Sequence, residues 1–151
     1  MKKKTSILSL TALLGLGMFI SSCGNEENPT ITSTTTRLSA TLNGASEKPT
    51  STTSTATGTF VGNLNTTTRV LSYTVTYQGL TPIGGHLHKI TAADGTGPVD
   101  IPFSSLTSPI SATTAALRQG QVDSLLAGLY YANLHTNAYK SGEIRGDIKK
   151  Q

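Results

Sequence analysis

Leu71, Tyr73, Val75 and Tyr77 alternate with Ser72, Thr74 and Thr76. Side chains of an extended chain point to opposite faces with a period of two, so this run predicts a strand with one apolar and one wet face. A strand of that kind obliges the rest of the chain to supply partners for its edges and cover for its apolar face. Leu38, Ala40 and Leu42 repeat the pattern, and Ile144 and Ile148 lie opposite Glu143, Arg145 and Asp147. Further strands are expected near 57–64, 84–90, 98–103, 108–114 and 129–135. Short strands at such intervals predict an all-β, antiparallel β-sandwich. The many threonines fit, because β-branched side chains suit a pleated surface and their hydroxyls keep the outer face wet. One short helix is expected over 118–127, where Val122, Leu125 and Leu126 recur at spacings of three and four between Gly120 and Gly128.

At 151 residues the chain has the length of a single domain with a leader. Its net charge of +4 comes largely from Lys2, Lys3 and Lys4, which precede the apolar run from Ile7 to Ile20. A basic start followed by an apolar run shorter than the roughly 20 residues of a spanning helix is the pattern of a secretory signal. Ser21, Ser22 and Cys23 then form the small-residue approach to a cysteine that a lipoprotein signal peptidase requires. Residues 1–22 are therefore read as signal peptide, and Cys23 as the lipid-attachment site that ties the protein to a membrane without a spanning helix. With the leader removed, nine bases meet eight acids, so there is no electrostatic footprint for nucleic acid. Residues 23–36 are polar, aperiodic and rich in threonine, as expected of a flexible tether. Glu26 and Glu27, close behind the cysteine, resemble an export signal of surface lipoproteins. The expected location is a bacterial outer membrane, facing the periplasm or the cell surface. The chain holds one cysteine, so an internal disulfide is impossible and stability must come from packing.

Only three histidines occur, His86 and His88 in Gly-Gly-His-Leu-His and His135 in Asn-Leu-His-Thr. Two histidines at i and i+2 share one face of a strand. A third from another strand could complete a three-nitrogen site for zinc or copper, with Asp94 or Asp100 reaching back as a helper. The plainer reading has the imidazoles bonded to loop backbone as polar struts. Arg145, between the carboxylates of Glu143 and Asp147, is expected to brace neighbouring loops through planar ion pairs. No nucleophile elbow, phosphate loop, His-Glu-x-x-His or Cys-x-x-Cys motif is present, so no enzymatic activity is expected.

Over residues 37–148 the sequence resembles the CHRD domain, a module named after chordin and found in bacterial secreted proteins and lipoproteins. The resemblance rests on Leu38-Ser39-Ala40-Thr41-Leu42-Asn43-Gly44 with Glu47 and Pro49, on Ala56-Thr57-Gly58, and on Gly85-His86-Leu87-His88 followed by Gly97-Pro98-Val99. Its most specific part is Tyr131-Ala132-Asn133-Leu134-His135-Thr136 with Gly142-Glu143-Ile144-Arg145-Gly146-Asp147-Ile148, which marks Asn133, Thr136, Glu143 and Arg145 as motif residues. Thr50 stands where the family often has a second proline, and Lys89-Ile90 where a glycine is common. The resemblance implies a sandwich like that of immunoglobulins or copper/zinc superoxide dismutases, with residues 149–151 as a short tail. A dismutase site needs more histidines than three, so that activity is not expected. Two functions remain: a lipid-anchored envelope protein with a non-enzymatic binding or structural role toward a protein or carbohydrate ligand, or a zinc- or copper-binding module centred on His86, His88 and His135.

Overall fold

The computed structural model describes residues 34–151. The signal peptide, Cys23 and almost all of the tether lie outside them. The described chain runs β1 (Thr35–Asn43), a 3-10 turn (Gly44–Ser46), β2 (Thr57–Asn65), β3 (Val70–Gln78), β4 (Gly84–Lys89), β5 (Val99–Pro102), β6 (Ile110–Thr113), α1 (Gln119–Leu126), β7 (Tyr130–His135), β8 (Ile144–Asp147) and β9 (Lys149–Lys150). The nine strands form one antiparallel sheet in the order β5-β4-β7-β8-β1-β2-β3-β6, with β9 pairing to β1, and the sheet curls over its own apolar face. The protein is thus all-β with one short helix, a curled sheet of sandwich type. Lys149 and Lys150, expected in the tail, add this last short strand opposite Leu38 and Ser39.

Period two decides which side chains enter the core. Phe60 and Leu64 of β2 and Leu71, Tyr73 and Val75 of β3 are buried, and they pack with Leu38, Leu42, Leu87, Leu134 and Ile144 in one cluster. Phe60 stacks on Tyr73 at 5.8 Å, and Tyr73 meets Phe103 at 5.6 Å, so the few aromatics sit together where each buries the most apolar area. The opposite face carries cross-strand hydroxyl pairs: Thr59 with Thr76 at 2.7 Å, and Ser72 with Thr113 and Thr74 with Ser111, both at 3.1 Å. The β2–β3 turn is closed by Asn65, whose side chain accepts from the N–H groups of Thr67 and Thr68.

Helix α1 begins where Gln121 Oε1 accepts from Arg118 N–H and turns Val122 and Leu125 inward. Leu126, expected in the core, is half-buried, and Ser124 is buried in its place, its hydroxyl returned to the Gly120 carbonyl. The helix is fastened to the sheet through Asp100, which accepts from Gln121 Nε2 and from the hydroxyl of fully buried Tyr130. Tyr130→Phe leaves this carboxylate short of a donor, so a loss of about 1.5–3 kcal/mol in urea unfolding is expected, the usual range for a hydrogen bond to a charged group.

Strand β8 is inserted between β7 and β1, and Gly146 makes the fit possible. A Cβ there would stand 2.4 Å from the Thr41 carbonyl oxygen, a separation no side chain can hold. The consequence is a register that runs Asn43–Arg145–Asn133–His86 straight across four strands. The polar motif residues of distant segments are thereby set side by side.

Candidate metal centre

His86 and His88 come from β4, His135 from the end of β7. One ring nitrogen of each lies within 4.8 Å of one of each of the others. The ring centroids are 5.2 Å (His86–His135), 5.6 Å (His86–His88) and 5.9 Å (His88–His135) apart. The sequence placed two imidazoles on one strand face, and the pairing of β4 with β7 brings the third to them.

Two of the rings are oriented by backbone carbonyls. His88 Nδ1 lies 3.0 Å from the Gly97 oxygen and His135 Nδ1 3.0 Å from the Lys140 oxygen. A carbonyl only accepts, so each Nδ1 carries the proton and each Nε2 keeps its lone pair. His88 Nε2, His135 Nε2 and His86 Nδ1 are buried and have no protein hydrogen-bond partner among the described residues. Buried imidazole nitrogens are ordinarily satisfied, and three left over in one spot call for an explanation. Gly97 is needed for its part in this: a Cβ there would meet the Lys89 carbonyl oxygen at 1.7 Å. The strut reading of His88 and His135 is compatible with the ligand reading, because a metal-binding imidazole is normally held by its other nitrogen.

Burial favours the unprotonated form of His86 and His88. It pushes His88 down to about 4, against the opposing pull of the Gly97 carbonyl, and lowers His86 as well, with His135 adding to that effect. The two imidazoles are neutral at pH 7, as metal binding requires. Tyr131 stacks on His88 with centroids 4.7 Å apart and planes within 3°, and its hydroxyl donates to the same Gly97 oxygen at 3.3 Å. On the Tyr131 ring lies the Arg145 guanidinium, its carbon 3.5 Å from the centroid. Neither Tyr131 nor Gly97 stood out in the sequence as part of a site, because only the β4–β7 register puts Tyr131 opposite His88.

The other expected helpers are engaged elsewhere. Asp94 accepts from the N–H and hydroxyl of Thr96 in its own turn, and Asp100 is held by Tyr130 and Gln121, so neither joins the histidines. Arg145, expected to brace neighbouring loops, does so from a buried position, 1% exposed. It donates to Asp147 Oδ1 from Nε at 3.1 Å and from Nη2 at 2.7 Å, and to the Gly95 carbonyl at 2.7 Å, which closes the 90–98 loop over the strand. Buried Glu143 has both carboxylate oxygens occupied, by the hydroxyls of Ser54 and Thr136. Asn133 donates to the Ile144 carbonyl and to Glu47, a buried carboxylate whose role the sequence did not show.

Burial pushes Glu47 up to about 7, outweighing the Asn133 hydrogen bond, the Arg145 charge and the Lys48 N–H. A carboxyl raised above its unfolded value of 4.5 contributes stability that is complete below pH 4.5 and lost as pH rises through about 7. Glu47→Gln keeps an acceptor for Asn133 and removes the ionisation. The stability of the variant relative to the parent is expected to grow from pH 5 to pH 8 in urea melts, and a difference independent of pH would contradict the assignment.

Comparison with curated proteins and with solved structures finds no match. The model of the CHRD domain matches residues 38–148, which include the paired strands, the histidine cluster and the polar network beneath it. The chain belongs to the CHRD domain family.

Proposed function

We propose that the protein is a metal-binding module of the bacterial envelope, carried on lipid at Cys23 and taking zinc or copper at His86, His88 and His135 without enzymatic activity of its own. One observation carries the metal assignment: three histidines converge within 4.8 Å, each with one buried ring nitrogen that has no protein partner, while the opposite nitrogens of His88 and His135 are held by carbonyls. Tetrahedral zinc bonded to imidazole at about 2.0–2.1 Å sets its nitrogens about 3.4 Å apart, so nitrogens within 4.8 Å of one another need close by at most roughly 1.4 Å. A soft-to-borderline ion such as zinc or copper suits three imidazoles, whereas calcium and magnesium demand oxygen. The envelope assignment rests on the basic leader, the apolar run and the cysteine that ends it.

The test is elemental analysis of the full chain, purified in detergent without a polyhistidine tag or chelator, followed by calorimetric titration with zinc and copper. Close to one equivalent of metal, lost in His86→Ala and His135→Ala, is expected. A chain that carries no metal and takes up neither ion overturns the assignment. That outcome would leave the broader binding role toward a protein or carbohydrate as the function to pursue. Cys23→Ala is expected to move the protein from membrane to soluble fractions, and unchanged fractionation would refute the anchor.

A further inference from the structure

The charges around the histidine cluster say what else the site takes. Its three donors are imidazoles, and no aspartate, glutamate or cysteine belongs to the cluster among the described residues. The other acids of this region hold hydrogen bonds elsewhere: Asp94 from Thr96, Asp147 from Arg145, Glu47 from Asn133, and Glu143 from Ser54 and Thr136. The ligand set itself therefore supplies nothing to offset the charge of a divalent ion held there. Behind the site Arg145 lies on Tyr131 and Tyr131 on His88, the guanidinium being paired with Asp147, so no net negative charge is added there to offset a cation.

His88 is buried beneath Tyr131, whereas His86 and His135 are half-buried, so the side of the cluster nearest solvent is theirs, although the nitrogens themselves are covered. Closed structural zinc sites have four protein ligands, whereas three protein ligands leave a position for an exogenous group.

We infer that the metal centre takes a small exogenous anion, a carboxylate or oxyanion, as its fourth ligand, approaching past His86 and His135. This rests on the metal assignment above. Such an anion balances charge that the protein leaves uncompensated, and a neutral ligand of equal size does not.

Cobalt(II), whose visible spectrum reports its coordination, separates the two claims. The full chain is loaded with cobalt in a zwitterionic buffer and titrated with formate, or with formamide as a neutral probe of the same size. The expected result is a visible spectrum that formate alters to saturation, with at least tenfold tighter binding than formamide. His135→Ala should show neither the spectrum nor the response. A cobalt spectrum that formate leaves unchanged, or that formamide alters equally well, overturns the anion inference and leaves the metal centre standing. If no cobalt spectrum develops in the unaltered chain, the metal assignment falls and this inference with it.

Discussion

Replacing Arg145 with alanine is expected to lower the free energy of unfolding by about 3–5 kcal/mol, the range for breaking a buried ion pair by removing one partner. For a domain of about this size that is a fall of roughly 10–20 °C in melting temperature. The expectation follows from how much one side chain holds. Arg145 is 1% exposed, bonds Asp147 twice, anchors the 90–98 loop at Gly95 and lies on the face of Tyr131. Its loss also withdraws the positive charge that draws down the Glu47 carboxyl, so Glu47 would hold its proton to still higher pH. Lysine should rescue little, because an ammonium cannot lie flat on the tyrosine while donating to Asp147 and to the Gly95 carbonyl together. A loss under about 1 kcal/mol in denaturant titration would mean that desolvation of the guanidinium cancels its contacts.

Arg145 shows what sequence reasoning reaches and where it stops. Its alternation with Ile144 and Ile148 is local, and local pattern was enough to give the strand, as it was for β3 and for the Leu38-Ala40-Leu42 run. The bracing of a loop was expected of it and is found, at Gly95. Its burial was not legible, because the loop that covers it lies fifty residues away. Glu47 is the same case, since its partner Asn133 is remote in sequence and adjacent only through the packing of β7 and β8 against the segment that follows β1. The helix was legible because Val122 and Leu125 repeat at its own period, whereas the burial of Ser124 depended on a bond to the Gly120 carbonyl. The histidines fall between these extremes. Shared strand parity made His86 and His88 neighbours on the page, but their convergence with His135 is a product of strand register. Asp94 and Asp100 looked near enough to help, and lost that role to closer donors: a threonine two residues on in one case, the buried Tyr130 hydroxyl in the other.

The histidine cluster should make the protein's stability depend on metal and on acid together. A ion that binds only the folded chain stabilises it by about 2.7 kcal/mol when free metal is one hundred times the dissociation constant, and by about 4.1 kcal/mol at one thousand times. Chelator is therefore expected to lower the melting temperature of the loaded protein and to leave His135→Ala unmoved. Removing a ligand that held no ion would instead change both melts alike, chelator or none. Acid acts on the same nitrogens. His88 is depressed to about 4 from an ordinary value of 6.5, so the folded chain binds fewer protons than the unfolded one between those limits. The contribution of neutral His88 is complete above pH 6.5 and is lost as pH falls through about 4. Because a proton on the ring also excludes the metal, the benefit of added ion should persist down to about pH 4 and vanish below it. Melts taken with and without metal should thus converge below that pH. Curves that stay parallel well below pH 4 would show that the stabilising ion is bound somewhere other than these three rings.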